Sequence, residues 1–268
     1  MEVACFPVFV TLQSQSFSAY NEPLMLPLPP LPPPLPPPGS KRILERLATV
    51  FEIILVAFLG SIVAQVALAG LGLSPMADAV QLAAFMWTEA VLTLVILTVL
   101  LRMRGEGWKN LGWTSERLHV DSRIALLVLP GLFVVTFLVG ALFHTFWPQY
   151  VSEKNDLLEL IKTRQDLMLF LISSVFVGGF KEEIQRVFIL KRFERDLGGI
   201  WVGLLAWTPL FGALHYVQGA DKAVGAGVLG LVFGLLYVWR RRLTSPIVAH
   251  ALYDITTLLL FWSFLRHR

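Results

Sequence analysis

The chain reads as an all-α polytopic membrane protein, a transmembrane bundle of about seven helices with a polar cavity among the last four. Three observations predict this. Hydrophobic residues make up 56% of the 268 positions and charged residues 15%, against about 25% charged in ordinary globular domains. Mean hydropathy is +0.67. Seven apolar stretches follow one another after residue 43, each long enough, or nearly so, to cross a hydrocarbon core of roughly 30 Å as a helix. The same composition excludes a disordered chain, and a net charge of +3 excludes a nucleic-acid partner held by a dense basic face. The single cysteine, Cys5, leaves neither a disulfide framework nor a Cys-based zinc site.

Residues 1–42 differ from the rest. Most of the 16 prolines fall between Pro23 and Pro38, a run that cannot be helical and favours extended polyproline II. It reads as a disordered tail or stiff spacer ahead of a membrane-embedded domain at 43–268. The first 20 residues lack the basic flank and long apolar core of a signal peptide. The apolar stretches lie near 47–71, 80–101, 124–146, 168–192, 199–217, 222–239 and 245–265. Most loop Lys and Arg fall on the N-terminal side of the bundle, among them Arg42, Arg104, Arg117, Lys191 and the run Arg240, Arg241, Arg242. The positive-inside rule makes that side cytoplasmic. Residues 105–122 hold two tryptophans and mixed charge, which suits a segment lying at that interface. Residues 150–167 carry Leu157, Leu158, Leu160 and Ile161 at helical spacing and suggest a short surface helix capping the other end. In the sixth stretch Ala226, Gly230 and Gly234 recur every four residues, the pattern of close helix packing.

Ionisable side chains in a bilayer cost roughly 2.5–3.5 kcal/mol each on insertion scales. Glu52, Glu89, Glu182, Glu183 and Asp254 lie within or at the ends of stretches, with His144, His215, His250, Lys181 and Arg186. Glu52 can reach water from its flank, and His144 lies near the opposite end of its stretch. Glu89 sits mid-stretch, where a structural hydrogen bond to a neighbouring helix is the more economical reading. The others are concentrated in FKEEIQRVF, FGALH and HALYD. Positions four apart share a helix face, so Glu182 and Arg186 should align, as should His250 and Asp254. At 1.5 Å per residue, Glu182, His215, His250 and Asp254 lie about 21, 25, 12 and 18 Å from the turns on the basic side. Three helices therefore bring polar groups to overlapping depths.

Such a set can do hydrolytic work. A glutamate beside a histidine can hold and deprotonate water, and a second histidine with a short polar side chain can stabilise an oxyanion. Alternatively, two histidines with a carboxylate, Glu182, His215 and His250, could ligate a divalent metal such as zinc. A proton or cation relay is the reading without hydrolysis. HExxH and GxSxG are absent, which leaves no support for a zincin or a serine nucleophile.

Glu-Glu followed shortly by Arg, then Phe-x-x-x-His, then His-x-x-x-Asp, on successive late helices, resembles the CPBP family of intramembrane proteases. This family comprises the type II CAAX prenyl endopeptidases and bacteriocin-processing relatives, also called Abi. The resemblance covers 168–265, the protease-like core of the membrane domain. Two features depart from the family pattern. Three residues usually separate Glu-Glu from Arg, whereas here only Ile184 and Gln185 intervene, and Asp254 stands where Asn is common. The resemblance implies that Glu182 activates water and His215 shares it. It further implies that His250 and Asp254 hold the oxyanion, and that Glu183 and Arg186 orient the site. No cofactor is required by the sequence, and zinc is compatible with it. The implied function is an intramembrane endopeptidase acting on a membrane-associated or prenylated-type protein or peptide within the lipid bilayer. The implied location is a multi-pass membrane protein with a cytoplasmic N-terminus, in the plasma (inner) membrane for a bacterial source. The competing readings are an inactive relative acting by binding, as in immunity, and an ion-coupled transporter. The transporter would carry an inverted repeat, and none is visible.

Overall fold

A computed structural model of the chain describes residues 39–265; the proline-rich tail reading and Cys5 lie outside the described residues. Seven helices of more than one turn follow in order. α1 runs through Gly39–Ile54, a π-helical turn at Leu55–Leu59, and Gly60–Gly70. α2 is Ala79–Met103 and α3 is Leu118–Phe146. α4 is composite: Arg164–Ser173, a π-helical stretch at Ser174–Glu182, then Glu183–Asp196. α5 is Ile200–Leu214, α6 Ala220–Arg240 and α7 Thr244–Leu265. No strand occurs among the described residues. The chain is a polytopic helical bundle.

Five of these helices, α1, α2, α3, α6 and α7, are long and apolar enough to cross a membrane. About seven spans were expected, and the two remaining helices show why they differ. α4 carries Lys181, Glu182, Glu183 and Arg186 in its middle, and α5 has only 15 residues. α5 is apolar and only too short, with Trp201 and Leu205 58% and 70% exposed, whereas neighbouring helices shield the charged middle of α4. Every residue from Glu183 to Leu190 on α4 is buried, whereas α3 turns Leu127 and Phe137 outward, at 80% and 73% exposure. A helix rich in charge is tolerated at membrane depth only inside such a jacket.

Local chemistry sets the helix ends. The Asp78 side chain accepts from the Gln81 backbone N–H at 2.8 Å and caps α2. Thr163 and Asp166 form a reciprocal capping box at the start of α4. Gly198 and Gly199, at φ 102° and 109°, turn the chain from α4 into α5, a conformation glycine adopts without penalty.

α7 packs on α3 and on the π-helical stretch of α4, while α5 lies along α6. At Gly179 an added Cβ would lie 2.8 Å from Ala251 Cβ and 3.0 Å from the Ile247 carbonyl oxygen, so α4 and α7 meet almost backbone to backbone. The small-residue stripe of α6 faces α5 and α4. A Cβ at Gly230 would meet the Phe211 ring at 2.8 Å, and one at Gly234 would meet Leu204 at 2.3 Å.

The two ends of the bundle differ. At the basic end, Glu52 pairs with Arg104 at 2.6 Å and Arg192 at 2.7 Å, and Asp196 accepts from Thr49 at 2.6 Å. Fully buried Asp121 accepts two hydrogen bonds from Arg240, at 2.8 and 3.0 Å. Segment 105–122 lies at this end and packs part of its length on the bundle. Leu111 is buried, and Trp113 stands edge-on to Phe180 with ring centroids 5.6 Å apart. At the other end, residues 147–163 include a 3-10 turn at Pro148–Tyr150 and one α-helical turn at Asp156–Glu159, and bury Ile161 beside Leu82, Phe170 and Leu258. Lys222 Nζ donates to the Ser152 carbonyl at 2.6 Å, fastening this cap to the start of α6.

Candidate active site

Each polar group of the three motifs is placed by its helix. The π-helical stretch ends at Glu182. A π turn holds more residues than an α turn and re-aims the side chains that follow; such turns recur at functional sites. Consecutive helix positions lie about 100° apart, so Glu182 and Glu183 point different ways. Glu182 lines a cavity of about 470 Å³, and its carboxylate makes no hydrogen bond to the described residues. Its one close cation is Lys181 Nζ, 4.0 Å away. Glu183 is fully buried behind the cavity wall.

His215 caps the C-terminal end of α5 and lines the same cavity. Its Nδ1 lies 2.8 Å from the Phe211 carbonyl oxygen, one of the helix-end carbonyls left without a backbone partner. A carbonyl only accepts, so Nδ1 carries the proton and the lone pair of a neutral ring sits on Nε2.

His250 and Asp254, one turn apart on α7, also line the cavity. His250 Nδ1 is 2.7 Å from Glu183 Oε1, and Nε2 is 3.6 Å from Asp254 Oδ2. The imidazole stacks on Phe233 with ring centroids 4.6 Å apart. The close approach depends on Gly178, where a Cβ would sit 2.5 Å from Asp254 Oδ2.

Arg186, 1% exposed, pairs with Glu183. Of the two neighbouring glutamates the arginine takes Glu183, three residues back, and not Glu182, four residues back. Its guanidinium lies over the Phe211 ring at 4.3 Å, a cation–π contact that is stronger when desolvated. Arg186 and Glu183 thus form a support behind His250 and do not line the cavity themselves.

Glu182, His215, His250 and Asp254 therefore share one cavity wall, and all lie on the last four helices. The rest of the wall is broader than expected. α2 contributes Leu82 and Met86, and α3 contributes Thr136, Val139 and Gly140. The cavity extends from mid-bundle toward the 147–163 cap, away from the basic end. Among the described residues no three or more His, Cys, Asp and Glu side chains are grouped so as to hold a metal ion. The candidate ligands Glu182, His215 and His250 line a common cavity without forming such a group.

Sequence reasoning passed over Gly178 and Phe233, and it did not foresee that Glu89 and Lys181 pair. Paired glycines inside an apolar run were the one available signal, since they mark close backbone approach.

Residues 164–256 match the family model described as Type II CAAX prenyl endopeptidase Rce1-like, about a third of the chain, containing every residue of the three motifs. No curated protein and no solved structure matches the chain.

Proposed function

We infer that this chain, whose residues 164–256 match the Rce1-like type II CAAX prenyl endopeptidase family model, hydrolyses a peptide bond of a membrane-associated protein or peptide without a metal. The observation carrying the mechanism is the Glu182 carboxylate. It stands unbonded on a cavity wall that it shares with His215, His250 and Asp254.

Glu182 is the base. It takes a proton from a water that also donates to the free Nε2 of His215, and the resulting hydroxide attacks the scissile carbonyl carbon. The charge that develops on the carbonyl oxygen needs a donor. Asp254 as a carboxylate only accepts, so the donor is His250 in its cationic form, held by Glu183 through Nδ1 and giving Nε2–H to the oxyanion. Collapse of the tetrahedral intermediate breaks the C–N bond, and the proton on Glu182 passes to the leaving nitrogen. Arg186 pairs with Glu183, the anchor of His250. The apolar wall from α2 and α3 suits a lipid-modified or hydrophobic peptide.

The test uses purified protein in detergent with a fluorogenic peptide ending in a prenylated CAAX sequence. Glu182→Gln should cost roughly a hundredfold or more in kcat, the range expected for a general base, while the protein elutes unchanged on gel filtration. A strong chelator should leave the rate intact. A folded Glu182→Gln variant with near-normal turnover would overturn the base assignment. Activity lost on chelation and restored by zinc would overturn the metal-free reading. A folded wild-type protein that cuts no peptide would favour the binding role.

A further inference from the structure

The mechanism leaves one buried charged pair unused. Lys181 and Glu89 are 5% and 7% exposed in the middle of the bundle. Lys181 Nζ lies 3.0 and 2.9 Å from the two carboxylate oxygens of Glu89. Ser61 of α1 and Thr93 of α2 donate to Glu89 Oε1 at 3.4 and 3.3 Å. A buried ion pair is weak evidence for stability, since desolvation offsets most of the attraction. Its place beside Glu182 calls for a different account.

Lys181 precedes Glu182 in sequence, and its ammonium is 4.0 Å from Glu182 Oε1. Lysine carries a compact charge on a flexible stem, so a small swing would seat it on either glutamate. Seated on Glu182 it would occupy the lone pairs that must accept from water. The geometry around Glu89 opposes that swing. Three donors fix its carboxylate, and α1 meets α2 closely at Gly60, where a Cβ would lie 2.3 Å from Thr93 Oγ1. Trp87 Nε1 donates to Ser173 Oγ at 2.8 Å, pinning α2 to α4 a short way along the same helices.

We propose that Glu89 is a positioning residue that holds the Lys181 ammonium off Glu182 and so keeps the hydrolytic carboxylate free to bind water. The proposal rests on the assignment of Glu182 as the base. It makes Glu89 necessary only while Lys181 is present, which a merely structural pair would not do.

The experiment is a two-residue cycle on the full chain in detergent with the same peptide, reading kcat and KM separately. Glu89→Gln keeps the shape and removes the charge. Lys181 then turns to Glu182, and kcat should fall about tenfold or more with KM within twofold, the pattern of an interaction lost at the chemical step. The double variant Glu89→Gln with Lys181→Met removes the blocking cation, and kcat should return to within about threefold of wild type, a coupling that only interacting sites show. A double variant as slow as Glu89→Gln, or slower, would overturn the proposal, as would a folded Glu89→Gln protein with unchanged kcat. If Glu89→Gln does not fold, Lys181→Met decides alone: turnover within about threefold of wild type is expected, and a folded variant slower by tenfold or more refutes the idea. Glu182→Gln is run beside these. If it stays active, the hydrolytic reading fails and takes this inference with it. If it is inactive while the cycle shows no rescue, the inference alone is wrong.

Discussion

Arg186 shows most directly how one residue supports the site from behind. It is among the largest fully buried side chains, with Glu183 as its counter-ion and Phe211 beneath its plane. Removing it leaves a buried carboxylate with His250 alone. Arg186→Ala should therefore cost roughly 3–5 kcal/mol, as for other buried pairs broken on one side, read from denaturant or thermal unfolding in detergent. Converting both partners, Arg186→Met with Glu183→Gln, should recover much of that stability, because neither the guanidinium nor the carboxylate is then left buried without the other. Peptide cleavage should stay low, because the anchor of His250 is gone. Recovery of both stability and cleavage would show that Glu183 has no role in orienting the imidazole. The sequence made the residue types of this site legible, with their order and approximate depth. It left the partner of Arg186 open, because on a helix positions three and four apart are both neighbours. Glu183 opens the regular α-helical segment that also carries Arg186, directly after the π-helical turn.

That turn belongs to the scale of the element. The stretch SVFVGGFKE is continuous with its flanks, and nothing in its apolar pattern separates a π from an α winding. Seven apolar stretches were readable because burial in lipid imposes a long, uniform hydropathy signal. The π-helical region was not, since it arises from how α4 and α7 fit together. Gly178 and Gly179 are its sequence trace, and they act through contact. Gly179→Val should force α4 and α7 apart against Ala251 and the Ile247 carbonyl. Overpacking of this kind costs about 1–3 kcal/mol, and here it should also lower kcat by displacing His250 and Asp254. Unfolding midpoints together with single-turnover rates would check it. A Gly179→Val protein with a normal midpoint and rate would mean that the close approach is not needed.

At the scale of the whole molecule, the charged network and the cavity occupy opposite ends. Arg104, Arg192, Arg240 and Arg242 are tied to Glu52, Asp121, Glu106 and Asp196 at one end. The cavity reaches toward the other, beneath residues 147–163, where Lys154 is exposed. Basic loop residues set membrane orientation because they resist translocation, so the basic end should face the cytoplasm and the cap should face away. The chain's only native cysteine makes this directly measurable. In a Cys5→Ser background, Lys154→Cys should react with a membrane-impermeant maleimide applied to intact cells. Lys109→Cys, on the exposed side of the basic end, should react only after the membrane is opened. Neither position touches the site, so cleavage activity serves as the check that both variants remain folded. The reverse labelling pattern would invert the topology. The cavity would then open toward the cytoplasm, and substrates would reach it from the compartment in which proteins are made and lipid-modified.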